Sequence, residues 1–205
     1  MKKIIIGLVG TSGSGKNEVA KCFSKRGCFI IDADLIGTET LYENEKKIIQ
    51  MFENYSAKIK DVHGNLNKKE FAKLLFSNPK LLNIHEKFLL PLIEKKIRNI
   101  INNAKEKLIV LNAPTLHKTK LINDTDFFVY VNANYFLRLL RVKKRDARPL
   151  KDIILRFKNQ KVFFTAYKNT NKKIYIIKNN FSKKHLQKKV DKILESEEQL
   201  KKLAK

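Results

Sequence analysis

An α/β fold built on a five-stranded parallel sheet is the architecture this sequence predicts, and three observations predict it. Runs at 3–9, 28–32, 108–113, 127–132 and 173–178 are nearly continuous in Ile, Val, Leu and Phe, as strands buried on both faces are. Helical patterns at 15–25, 35–55, 68–105, 135–161 and 182–203 separate them. Such alternation implies parallel pairing with helices on both faces. The first run also leads directly into a glycine-rich loop, Gly10-Thr11-Ser12-Gly13-Ser14-Gly15-Lys16-Asn17, which opens the first helix.

The 205 residues, 43% of them apolar, suit one domain with insertions rather than two independent domains. The first run superficially resembles the start of a signal peptide, but it is short and feeds into the loop, so it reads as a buried strand. The segment 39–105 is too long for a simple crossover and carries turn signals at His63-Gly64-Asn65 and Asn78-Pro79. It is expected to be a mostly helical insertion on the substrate side. The helical patterns 35–55 and 68–105 are each expected to contain breaks. The segment 135–161 is charged and amphipathic, with Pro149 inside it. It predicts a mobile helical lid, or alternatively a solvated helix pair. The core is then about 1–38, 106–134 and 162–205, ending in a Lys/Glu-rich surface helix.

No stretch approaches 18 uncharged apolar residues, so no membrane span is expected. Cys22 and Cys28 fit no zinc or redox spacing and read as small buried hydrophobes in a reduced, cytoplasmic setting. The net charge of +24 has three explanations: a nucleic-acid face, attraction of a polyanionic substrate, or a lysine-biased composition. The lysines run from end to end and far outnumber the arginines, whereas bidentate phosphate or base recognition prefers Arg. The compositional reading is favoured, and no nucleic-acid partner is expected. Nothing in the residues sets the oligomeric state.

The loop carries the chemistry. Its strand–loop–helix context is that of a P-loop. Glycines let successive backbone N–H groups point into a concave nest, and nest and helix N-terminus together favour phosphate. Residues Gly10 to Asn17 are thus the expected ATP-binding loop, with Lys16 following the charge of the β- and γ-phosphates during transfer. The pattern wants Ser or Thr after the lysine, to ligate Mg²⁺ through its hydroxyl. Here Asn17 offers an amide oxygen, also a hard ligand, directly or through water.

The second run ends in Asp32-Ala33-Asp34. In an open parallel sheet ligands sit at the carboxyl ends of strands. Two acids two residues apart on an extended chain point the same way. They can hold Mg²⁺ indirectly and accept a proton from an attacking hydroxyl, or else cap the next helix. Arg138, Arg141, Arg145 and Arg148 are four of the seven arginines, and lie within eleven residues. The first three share a helical face. That concentration suits neutralisation of a transferring phosphate as a lid closes and excludes water, with a solvated basic face as the plainer reading. His63, His85, His117 and His185 have no metal-ligand spacing. Phe71, Phe76 and Phe88 read as packing residues of the insertion, and some of them as lining for an adenine or pantetheine groove.

Gly7-Leu8-Val9-Gly10-Thr11-Ser12-Gly13-Ser14-Gly15-Lys16, followed by Gly27-Cys28-Phe29-Ile30-Ile31-Asp32-Ala33-Asp34, resembles the opening of dephospho-coenzyme A kinases. The likeness continues through His63-Gly64-Asn65-Leu66-Asn67-Lys68, Phe76-Ser77-Asn78-Pro79, Leu90-Pro91-Leu92-Ile93 and Asn112-Ala113-Pro114, then Arg141 to Asp146, Arg156 to Gln160, Ala166-Tyr167 and a late Asn at 179 or 180. It spans nearly the whole chain. Departures from the family pattern are Asn17 for Ser, Leu90 for His, Asn112 for an acid, Lys118 for Glu and Tyr167 for Asp. The resemblance implies a P-loop NTPase fold with a helical acceptor-binding insertion and a helical lid. It implies transfer from ATP, with Mg²⁺, to the ribose 3′-hydroxyl of dephospho-coenzyme A. It also implies Asp34 as general base, Lys16, Arg141 and Arg145 as charge-stabilising groups, and Asn17 with Asp32 at the metal. Two other readings stay open: a kinase for another nucleoside or nucleotide acceptor, and a nucleotide- or nucleic-acid-binding relative without turnover.

Overall fold

The computed structural model describes residues 3–146, 149–160, 163–180 and 182–203. Met1, Lys2, Arg148 and Lys161, which enter the sequence reading, lie outside them. Five strands form as expected: β1 (Ile4–Gly10), β2 (Phe29–Asp32), β3 (Leu108–Asn112), β4 (Phe127–Asn132) and β5 (Ile174–Lys178). They pair in the order β2-β3-β1-β4-β5, every pair parallel. All five carboxyl ends therefore share one edge, where open parallel sheets bind ligands.

Two compact units carry the chain: residues 1–32 with 103–205, and residues 33–102. The first holds the sheet with α1 (Lys16–Ser24), then α6 (Leu121–Asp124), α7 (Tyr135–Asp146), α8 (Leu150–Asn159), α9 (Phe163–Lys168) and α10 (Lys183–Leu203). The second holds α2 (Ala33–Glu43), α3 (Glu45–Phe52), α4 (Lys68–Ser77) and α5 (Pro79–Asn103). The short helices α6 and α9 were not expected, since four to six residues carry too little periodicity to read.

Alternation along β1 sorts its side chains between two cores. Ile6 and Leu8 join Val110, Val129 and Val131 against Val19 and Phe23 of α1 and Leu186 and Val190 of α10. Arg26 donates two hydrogen bonds of 2.8 Å to Asp191, tying the end of α1 to α10, and this pairing holds the Asp191 carboxyl below its usual range. On the other face, Gly7 stands opposite Phe128. A Cβ at Gly7 would lie 2.5 Å from that ring, so the glycine makes room for Phe128, whose ring centroid is 5.2 Å from that of Tyr167. Cys22 and Cys28 are both buried thiols.

In the helical unit, Ile48, Phe52, Ile59, Phe71, Leu75, Leu81 and Leu89 form a separate core. The expected turns are there. Asp61 accepts the backbone N–H groups of His63 and Asn65, at 2.8 and 2.9 Å, around Gly64. Asn67 caps α4 through Glu70 N–H at 3.2 Å, and Asn78 accepts from Lys80 and Leu81 at the start of α5. The breaks expected in the two long patterns fall at Asn44 and Asn78, while Pro91 leaves the 25-residue α5 unbroken. Phe71 is buried as expected, but Phe76 is 78% exposed, so it does not pack in the core. Among the described residues no helix is long and apolar enough to cross a membrane.

Candidate active site

The loop from Gly10 to Asn17 joins the end of β1 to α1. Two glycines shape it. Gly13 (φ 75°) passes so close to α7 that a Cβ would sit 2.6 Å from Arg138 O. Gly15 (φ 87°) begins α1 in the left-handed region, and a Cβ there would meet Asn179 Nδ2 at 2.1 Å. Only glycine satisfies both the backbone angle and the contact.

Donors from outside the loop then take its carbonyls. Arg138 Nε donates to Ser12 O at 3.0 Å, Arg141 Nη1 to Gly13 O at 3.4 Å, and Asn179 Nδ2 to Ser14 O at 2.8 Å. Arg141 Nη2 also donates to Asn179 O at 3.2 Å. Three successive carbonyls are thus turned outward, the arrangement a nest requires to leave N–H groups for an anion. Gln160 Oε1 accepts the Ser12 N–H at 2.8 Å, so both backbone polar groups of Ser12 are held by α7 and the end of α8. Lys16 Nζ donates to Gly10 O at 3.1 Å.

The inside of the loop is prepared for a ligand. Thr11 Oγ1 and Ser14 Oγ are buried without hydrogen-bond partners among the described residues. Gly15, which opens α1, has no side chain to cap it, and the positive end of the helix dipole there favours phosphate. These unsatisfied groups fit a nucleotide triphosphate.

The lid-segment arginines separate by task. Arg138 is half-buried, with its guanidinium 4.1 Å from the Phe157 ring centroid, a stacking that joins α7 to α8. Burial lowers its pKa, though an arginine stays charged at neutral pH. Arg141 reaches the loop at Gly13 O. The Arg145 side chain is 61% exposed and donates to Asp146 at 2.5 and 3.0 Å, and Arg156 donates to the same carboxylate at 3.2 Å. Arg138, one turn before Arg141 on α7, holds the loop at Ser12 O.

Asp32 ends β2 in register with Asn112 of β3. Asp34 lies in the first turn of α2, because the strand gives way to helix at Ala33. The extended-chain argument for both acids facing one way therefore fails: Asp34 stands inside the first turn of α2, one residue past its start. Asn17 is not isolated. Asn112 Nδ2 donates to its Oδ1 at 3.1 Å. Tyr167 is fully buried, its hydroxyl within 3.2–3.4 Å of His117 Nδ1, His117 N and Pro114 O. Burial pushes its phenol pKa up, so it stays neutral. It supports the segment after β3.

Sequence reasoning missed the loop-holding roles of Arg138, Gln160 and Asn179. The spacing of Arg138 from Arg141 placed it on the right face. A single Gln or Asn carries no chemical signature of its own, and only the likeness at Arg156 to Gln160 and at Asn179 marked those two.

A parallel sheet in this order, with a P-loop between its first strand and helix, defines a P-loop kinase. The dephospho-CoA kinase family profile matches residues 4–185, and the chain belongs to that family. It is 43% identical to the dephospho-CoA kinase of Treponema denticola over 195 residues, 91% of this chain and 87% of that protein. It is 38% identical to that of Treponema pallidum, covering 93% of each. Among solved structures, a Thermus thermophilus protein superposes with a TM-score of 0.82 at 22% identity, over 96% of this chain and 98% of that one. The dephospho-CoA kinase of Campylobacter jejuni gives 0.68 at 21%, over 93% and 95%. At those identities the two structures establish the fold.

Proposed function

We propose that this chain transfers the γ-phosphoryl group of ATP to the ribose 3′-hydroxyl of dephospho-coenzyme A, giving ADP and coenzyme A. Family membership supports the acceptor. The observation that carries the phosphoryl-transfer half is the P-loop, with its carbonyls turned outward and two buried hydroxyls awaiting a ligand. Phosphoryl transfer asks the protein mainly for positioning and charge stabilisation, and a loop held at three successive carbonyls supplies the positioning.

Residues Gly10 to Asn17 hold the triphosphate, and Lys16 exchanges its bond to Gly10 O for the β- and γ-phosphates. Arg141 keeps the loop in shape and adds positive charge beside it. Arg145, one turn further along α7, serves the same charge after leaving Asp146. Asp34, in the first turn of α2, is the base that takes the 3′-hydroxyl proton. Bound Mg²⁺ neutralises charge on the phosphates, and Asn17 and Asp32 would hold it, directly or through water. The helical unit of residues 33–102 takes the acceptor and α7 with α8 forms the lid, in one functional domain working in the cytoplasm.

The test is a coupled ADP-release assay on the purified protein with ATP, Mg²⁺ and dephospho-coenzyme A, with coenzyme A identified as product and Asp34→Ala alongside. Acceptor-dependent turnover that drops by at least about 100-fold in the variant is expected, in line with general-base contributions. ATP binding without acceptor-dependent turnover would overturn the assignment.

A further inference from the structure

Four of the described arginines pair with a carboxylate: Arg26 with Asp191, Arg98 with Glu94, and Arg145 and Arg156 with Asp146. Arg138 and Arg141 do not, and these are the two that reach the P-loop. Arg141 uses both ends of its guanidinium, on Gly13 O and Asn179 O. Arg138 uses only Nε, on Ser12 O at 3.0 Å. Its Nη1 and Nη2 make no hydrogen bond to the described residues, and Nη2 is buried.

The groups around this guanidinium are neutral. The centroid of the Phe157 ring lies 4.1 Å from it. Tyr130 and Tyr135 are the titratable groups whose charge it feels, with no carboxylate among them. Burial lowers its pKa, the behaviour of a desolvated cation without a counter-ion. A buried charge is normally paired, because an unpaired one loses hydration and gains nothing in exchange. Arg138 stands against a loop shaped for phosphate, so the anion it lacks is one that the loop binds. The helix end of a P-loop cradles the inner phosphates. Ser12 belongs to the opposite half of the loop, before Gly13, where the terminal phosphate is carried.

We propose that Arg138 is a further catalytic arginine, whose Nε stays on Ser12 O while Nη1 and Nη2 take oxygens of the γ-phosphoryl group. In the transfer a bond forms from the acceptor oxygen to the γ-phosphorus, and the bond to the β–γ bridging oxygen breaks. The hydroxyl proton passes to the base, and ADP leaves with the bonding electron pair. Charge is spread over the γ-phosphoryl oxygens in the transition state. A guanidinium already fixed to the loop stabilises it without reorganising. This rests on the reading of the loop as one for ATP and is independent of the acceptor's identity.

The experiment titrates ADP and a non-hydrolysable ATP analogue, each with Mg²⁺, into the full chain by calorimetry. The variants are Arg138→Met, Arg138→Lys and, as a control, Gln160→Leu, which releases the same residue on its N–H side. In Arg138→Met, affinity for the analogue should fall about tenfold, the size of one lost charge-assisted hydrogen bond, with ADP affinity within about threefold of the parent. The kcat at saturating ATP and dephospho-coenzyme A should fall at least about 100-fold, the scale of one transition-state donor. Gln160→Leu should weaken ADP and the analogue alike, because both need the loop. Arg138→Lys keeps the charge but not the fork. It should show the same selective loss of the analogue at smaller size, which decides the matter if Arg138→Met does not fold. Equal losses for the two ligands, as loop-holding alone would give, or a kcat within about threefold of the parent, would overturn the proposal. The titrations contain no acceptor, so they decide it alone if the parent shows no turnover, and failure here is distinct from failure of the kinase assay.

Discussion

Gln160 accepts the backbone N–H of Ser12 at 2.8 Å across 148 residues of sequence, while Arg138 holds the carbonyl of the same residue. The α7–α8 pair is thus anchored to the P-loop at its roots, and Phe157 beneath the Arg138 guanidinium braces the two helices. A loop held on both sides of one residue keeps its nest before any nucleotide arrives, which lowers the ordering cost of binding.

This anchoring predicts a split between binding and turnover. In Gln160→Leu the Ser12 N–H loses its acceptor, a loss of about 0.5–1.5 kcal/mol for an ordinary hydrogen bond. The KM for ATP should rise by about three- to tenfold with kcat little changed. Steady-state kinetics at saturating acceptor check this, and a double-mutant cycle with Arg138→Met should show coupling, because both groups grip one residue.

Arg141 bridges Gly13 O and Asn179 O with the two ends of one guanidinium. A lysine keeps the charge but offers no fork. Arg141→Lys is therefore expected to weaken ATP binding by about tenfold, the cost of roughly one charged hydrogen bond. An affinity unchanged in direct titration would show that charge alone matters there.

Gly7→Ala tests the core. The added methyl would fall 2.5 Å from the Phe128 ring, and Leu116 at 3.1 Å closes the escape. Overpacking of this kind costs about 1–3 kcal/mol. A lower urea midpoint with an unchanged m-value is the expected result.

His85 lies edge-on to Phe71 and Phe52, with ring centroids 5.2 and 6.1 Å away, and its Nδ1 is buried without a partner among the described residues. Burial lowers its pKa, against a weaker opposing pull from Glu86. The folded state then binds fewer protons than the unfolded one. The stability it protects is fully present above the unfolded histidine pKa of about 6.5 and is lost as pH falls below it, by at most about 1.4 kcal/mol per pH unit. Urea midpoints between pH 7.5 and 5 should fall for the parent and fall less steeply for His85→Leu. Parallel slopes would remove His85 from the explanation.

Much of the fold was legible because its signals are local. Each of the five strands appears within a residue or two of its expected bounds, since buried parallel strands are written as uninterrupted apolar runs. The P-loop was legible because it needs particular residues at fixed spacing. The carboxylate geometry was not: whether the chain after Asp32 stays extended or turns helical depends on where α2 begins, and one residue of difference changes the direction of Asp34.

The sequence by itself determined the parallel sheet, the phosphate loop and, through its likeness to a family, the chemistry to test. Tertiary structure alone decided which side chains hold the loop. It gave the task to Arg138, Gln160 and Asn179, left Arg145 on Asp146, and joined Asn17 to Asn112 across 95 residues. The physical reason is range. Periodicity and turn chemistry act over a few neighbouring residues, whereas a hydrogen bond between distant segments exists only once strand order and helix packing have brought them within about 3 Å.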